Sequence, residues 1–250
     1  MSTAGKVAEV TAAFWVMKIC ATTLGETGGD YFAQTLNMGY DTATIGFLAL
    51  FLIALFFQMR SKEFKPWIYW LVIVATSTAG TTMSDYVDRT LHIGYEAGSL
   101  IIASLLVVVL IVWKRVIGSL SVDHISGGKV EGFYWTAILV SNTLGTALGD
   151  YLADSSGLGF AGSAALISGL LVVILLLHFY SKVNKVWLFW FAFVLTRPFG
   201  ATFGDLMTKP LDHGGLNLGT LGTSLVLLAA LGAVISWNYH LRKAPVVAES

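Results

Sequence analysis

Four aspartates, Asp30, Asp85, Asp150 and Asp205, each close the same phrase of sequence, and this fourfold recurrence restricts the fold more than any other feature. Fifteen residues before each stands a tryptophan: Trp15, Trp70, Trp135 and Trp190. An aromatic residue precedes each Trp (Phe14, Tyr69, Tyr134, Phe189). Five residues before each Asp is a glycine (Gly25, Gly80, Gly145, Gly200), and the residue just before it is small (Gly29, Ser84, Gly149, Gly204). Tyr31, Tyr86 and Tyr151 follow three of the Asp, with Leu206 as the exception, and Gly39, Gly94, Gly159 and Gly214 stand nine residues beyond. Columns matched in four copies describe four similar structural units in tandem. The Asp spacings are 55, 65 and 55 residues, so the chain reads as two halves, 1–116 and 132–240, joined by a polar, Gly-rich linker at 117–131 and followed by a tail at 241–250.

Composition identifies the solvent. Of the 250 residues 56% are hydrophobic and 12% charged, and mean hydropathy is +0.74. A soluble domain averages about 25% charged residues. Several apolar runs reach about 18 residues, the length that crosses a bilayer as helix. An all-α membrane protein of eight transmembrane helices is predicted, at roughly 8–31, 42–59, 66–87, 95–114, 132–152, 158–179, 186–207 and 217–238. Eleven Lys and Arg, from Lys6 and Arg60 to Arg242 and Lys243, fall at one set of helix ends, while the opposite loops hold only Arg89 and Lys209. The excess of positive charge places both termini and the linker in the cytoplasm. The net charge of zero points away from nucleic acid, and the single Cys20 excludes an internal disulfide.

Over about residues 10–238 the four-copy pattern resembles a family of bacterial multi-pass membrane proteins built from four tandem repeats, each with two transmembrane segments and a conspicuous Trp. The resemblance implies this architecture in a bacterial cytoplasmic membrane. The family has no assigned function, so it implies no substrate. Two helices per unit make the repeats parallel, related by an axis along the membrane normal. Pseudo-fourfold symmetry, or two halves about a pseudo-twofold axis, would equally bring the four hairpins' Asp to one depth.

Residues four apart share a helix face. Stepping back from the Asp gives Asp30, Glu26, Thr22; Asp85, Thr81, Ser77; Asp150, Thr146, Asn142; and Asp205, Ala201, Arg197. Each step descends about 6 Å. Carboxylates within a bilayer cost roughly 2.5–3.5 kcal/mol each and usually face a bundle interior. Asp30, Glu26, Asp85, Asp150 and Asp205 are therefore the candidate cation and metal ligands, with Thr22, Ser77, Thr81, Asn142 and Thr146 in support. Hard divalent cations take oxygen ligands, and manganese suits a carboxylate, carbonyl and water set. Lys18 and Arg197, lone charges inside spans, either balance the acids or act as tethered cations that gate the path. The alternative for the Asp is a solvated rim at the outer headgroups. The Trp read as an interfacial belt, or else as cages for an organic cation.

No nucleophile elbow, phosphate loop or zinc-type cluster is present, so no enzyme and no resident cofactor is expected. The expected activity is secondary transport of a divalent metal cation, manganese first, with export as the expected direction and protons as the expected coupling ion. A small organic cation carrier and a non-transporting membrane scaffold or sensor are the alternatives.

Overall fold

The computed structural model describes residues 6–122, 125 and 127–243, with side chains to 240. The end of the predicted tail and part of the linker lie outside the described residues. Eight α-helices account for most of the described chain: α1 (Ala12–Asp30), α2 (Tyr40–Arg60), α3 (Pro66–Asp85), α4 (Tyr95–Ile117), α5 (Gly128–Asp150), α6 (Gly159–Tyr180), α7 (Lys185–Thr208) and α8 (Thr220–Lys243). Thr11 caps α1 by accepting from Phe14 N–H, and Asn184 caps α7 by accepting from Val186 N–H. Pro66 opens α3, where its missing N–H costs nothing.

The odd-numbered helices form a closed ring in the order α1, α3, α5, α7, with α7 returning to α1. Its joints are made by the repeat's glycines, and the same register recurs at each. A Cβ on Gly25 would fall 2.5 Å from Ser77 Cβ, one on Gly80 would fall 2.9 Å from Thr143 N, one on Gly145 would overlap Arg197, and one on Gly200 would fall 2.6 Å from Thr22 Oγ1. Each glycine thus admits the neighbouring helix at or beside the position eight residues before that helix's Asp. Small residues allow such close approach where apolar surroundings supply no squeeze.

The even-numbered helices surround this ring. α2 packs chiefly on α3, α4 on α5, α6 on α7, and α8 closes the circle on α1. A unit's second helix is therefore held by the next unit's first helix. The joint between α3 and α5 is built like the others, so the ring runs on across the midpoint of the chain. Leu52 and Ile53 of α2, Leu105 and Val107 of α4, Leu175 and Leu176 of α6, and Leu225 and Leu228 of α8 are exposed. Apolar surface this extensive gives the ring an apolar shell of the kind that suits a membrane.

Five helices, α2, α4, α6, α7 and α8, are long and apolar enough to cross a membrane. α1, α3 and α5 carry too much polarity. Their Thr, Ser and acidic residues are buried against one another inside the shell.

One repeat column is corrected by the structure. α2, α4 and α8 begin after glycines with positive φ, Gly39 (80°), Gly94 (82°) and Gly219 (79°), and Gly159 (67°) occupies the same place at α6. Gly219, not Gly214, belongs to this column. Two residues earlier Asn37, His92, Gly157 and Asn217 also have positive φ. The fourth unit therefore holds five extra residues after its Asp. They form a 3₁₀ turn, Leu211–His213, and fold back so that Leu216 N–H donates to Leu206 O and Leu218 N–H to Met207 O. The other three units turn through π-helical segments, Tyr31–Thr35, Tyr86–Thr90 and Tyr151–Ser155, where Tyr stands in place of Leu206.

The Trp belt is corrected as well. Trp70, Trp135 and Trp190 are buried, and only Trp15 is half-exposed. Trp70 packs 5.7 Å from Phe14, Trp135 5.6 Å from Tyr69, and Trp15 5.9 Å from Phe189, each against the aromatic of an adjacent unit. Trp190 donates its indole N–H to Leu120 O of the linker at 3.0 Å. Aromatic burial thus ties one end of the ring together instead of anchoring it in headgroups.

Candidate functional site

The acids converge inside the ring. Asp30, Asp85, Asp150 and Asp205 are between 1% and 3% exposed, although each stands at or near the end of a helix. A solvated rim is therefore not what they form. They are drawn into two pairs, each bridged by a cation that follows an Asp by four residues. Arg89 Nε lies 3.0 Å from Asp85 and its Nη2 3.3 Å from Asp150. Lys209 Nζ lies 2.5 Å from Asp30 and 3.2 Å from Asp205. Arg89 also reaches Tyr40 Oη at 3.4 Å, and Gln34 donates to Asp30 at 2.5 Å.

Burial works against the charge on Arg89 and on Lys209. Asp85 and Asp150 outweigh it for Arg89, and Asp205 and Asp30 for Lys209, so both pKa values are raised and both groups stay protonated. Arg89 and Lys209 are the functional residues that sequence reasoning passed over. Their signal was available: they are the only Lys and Arg in the loops that follow the four Asp, each one helical turn beyond an Asp.

One turn deeper, Glu26 joins only the second pair. Oxygens of Glu26, Asp30 and Asp205 all lie within 4.8 Å of one another. Glu26 does not reach Asp85 and Asp150 in the same way, so the predicted ring of four equivalent acids is instead two unequal halves. Carboxylate oxygens at that separation, all buried, are the ligand type of a hard divalent ion.

Below Glu26 the axis is occupied by Arg197, which is wholly buried. It crosses from α7 to every other ring helix. Its Nη1 donates to Glu26 (3.1 Å) and to Thr22 O (3.4 Å) of α1. Its Nη2 donates to Ser77 O (3.3 Å) and to the Thr81 hydroxyl of α3, and to Thr146 Oγ1 (2.8 Å) of α5. Gly145 makes room for its stem. Thr81, Thr146, Thr22 and Ser77 thus support Arg197 and not the Asp layer directly; Thr81 alone also donates to Glu26, at 3.2 Å. Of the predicted supporting residues Asn142 stands apart: it donates to Thr76 Oγ1 at 2.8 Å and accepts from Lys18 Nζ at 3.4 Å. Lys18 lies 3.9 Å from the centre of the Phe193 ring. The column ends at a hydrogen bond of 2.7 Å between the hydroxyls of Tyr69 and Tyr134.

Five carboxylates and four basic side chains (Arg89, Lys209, Arg197, Lys18) therefore share one axis; the first three pair with carboxylates, and Lys18 meets Asn142 and Phe193 instead. The column is closed on both sides of the Glu26, Asp30 and Asp205 cluster, by Lys209 at one end and by Arg197 at the other.

The repeat seen here is the one described as a repeat of unknown function (DUF347), which matches residues 13–64, 68–118, 133–184 and 188–244. The chain belongs to the DUF347 repeat family. Its four matched segments each contain one ring helix and the shell helix that follows it. No curated protein and no solved structure matches the chain.

Proposed function

We propose that this DUF347 protein is a transporter for a divalent metal cation, with manganese the first candidate and export the direction. It would sit in the bacterial cytoplasmic membrane with all eight helices spanning, α1, α3 and α5 shielded by the apolar shell, about an axis along the membrane normal. One observation carries the reading: buried oxygens of Glu26, Asp30 and Asp205 lie within 4.8 Å of one another, in contact with an ammonium tethered at Lys209. Lys209 stands in for the cargo. A metal arriving at the cluster displaces the ammonium, and the ammonium returns when the metal leaves, so the acids are never left without a positive partner. Arg197 and Lys18 close the opposite side, which describes an occluded state. Protonation of the carboxylates competes with the metal, so binding weakens as pH falls and proton exchange can drive release. Cages for an organic cation are less well supported, because the Trp stand fifteen residues from the Asp, about 22 Å along the helix.

The test is a panel of Mn²⁺, Mg²⁺, Ca²⁺ and Zn²⁺ against the thermal stability of the purified protein. Mn²⁺ should raise the melting temperature, and Asp30→Asn or Asp205→Asn should abolish the rise. Lys209→Gln removes the competing ammonium and should give a larger rise at the same concentration. A response that is identical in all three variants would remove the cation site. In the assigned orientation, a cysteine at Ser155 should react with an impermeant thiol reagent from outside the cell and one at Ser181 should not. The reverse labelling pattern would invert the protein and make the same site serve uptake.

A further inference from the structure

A cleft of about 670 Å³ opens on the flank of the ring between α1, α6 and α7. Its counterpart between α8, α1 and α3 holds only about 20 Å³. The two are built from corresponding residues once the five-residue insertion is allowed for: Leu175, His178 and Phe179 of α6 match Ile235, Asn238 and Tyr239 of α8, and Trp15 matches Trp70. They differ in two ways. Ala192 lines the large cleft where Met17 fills the small one, and the charged group at the mouth is Lys185 in the large cleft and Glu9 in the small one. Among the described residues no acidic one lines the large cleft. Its walls are otherwise almost wholly apolar, and its α6 wall, with Val172, Leu175 and Phe179, is exposed on the flank. The Lys185 ammonium sits at the mouth against the His178 carbonyl.

We propose that this cleft is a binding site for one anionic glycerophospholipid of the inner leaflet. One acyl chain lies along Trp15, Leu175 and Ala192, and the phosphate meets Lys185 and His178. The inference rests on the reading of the chain as membrane-spanning with the Trp end cytoplasmic. The occupant follows from placement and charge. A cavity open to the bilayer fills from the bilayer; this volume lies in the range of specific ligand sites; and a basic mouth on the cytoplasmic side selects anionic headgroups. The counterpart cleft, with only about 20 Å³ of space, binds none.

Native mass spectrometry of the full-length protein, exchanged against phosphatidylglycerol, phosphatidylcholine or oleate, tests this. One phosphatidylglycerol should be retained in preference to phosphatidylcholine, and Lys185→Glu should cut that retention about fivefold or more, the weight of one lysine near an anionic surface. Ala192→Met rebuilds the residue of the closed cleft and should abolish retention. Equal retention of the two phospholipids, retention as strong for oleate, or retention unchanged in both variants would overturn the proposal. Lys185 is exposed, so its variant should fold regardless. Mn²⁺ stabilisation measured on the same samples separates the readings: intact metal response with no selective lipid overturns only the lipid site.

Discussion

Arg197→Gln is expected to cost the fold about 3–5 kcal/mol, the usual penalty for removing one partner of a buried ion pair. Arg197 is wholly buried and pairs with Glu26 at 3.1 Å. Its loss leaves a carboxylate in the core of the ring and strands Thr146 and the Ser77 carbonyl, which bond to it from two other helices. A glutamine is too short to reach all three. The double variant Arg197→Gln with Glu26→Gln should regain most of the loss, because no uncompensated charge remains. Thermal unfolding in detergent, followed by size-exclusion of the survivors, reads both. If the single variant melts with the native protein, Arg197 is not the hub of the ring. The same pair probes transport from the other side, since neutralising Glu26 removes one of three candidate metal ligands while Asp30 and Asp205 keep Lys209.

Gly80→Val should be nearly as damaging, for a reason that involves no charge. A Cβ on Gly80 would lie 2.9 Å from Thr143 N and 3.0 Å from Asn142 C, which are backbone atoms with nowhere to go. Overpacking a well-filled core costs about 1–3 kcal/mol, and more where backbone must shift. Here the shift separates α3 from α5 and opens a ring whose other joints depend on closure. Gly200→Val, against Thr22 and its backbone carbon at 2.9 Å, should act alike at the joint between α7 and α1. Gly46→Val is the control, because a Cβ on Gly46 meets nothing within 4 Å. Comparable melting temperatures for Gly80→Val and Gly46→Val would mean that the ring helices do not approach as closely as described.

The effects of these substitutions separate what a helix carries within itself from what its neighbours impose. Much of the architecture was legible in the sequence. The four units, the helical segments and the face bearing Asp30, Glu26 and Thr22 follow from the tandem columns and the four-residue step, because helical geometry is local and puts those side chains in line whatever surrounds them. The apolar character of α2, α4, α6 and α8 was likewise legible from composition. Which helix packs on which was not. A shell helix joined by a short turn could lie against its own ring helix or the next, and the choice falls to the glycine joints, where partners from distant parts of the chain must fit backbone to backbone. The burial of Trp70, Trp135 and Trp190 follows from that choice, because adjacent units press their aromatics together at one end. The pairing of the acids was also decided in three dimensions. Arg89 meets Asp150 across 61 residues and Lys209 meets Asp30 across 179. Sequence alone determined that five carboxylates share the interior of this protein with Lys18 and Arg197; only closure of the ring brought in Arg89 and Lys209 and decided which carboxylates each bridges, because an ion pair is set by distance in space and Asp150 and Asp30 meet those cations only when α5 packs on α3 and α7 returns to α1.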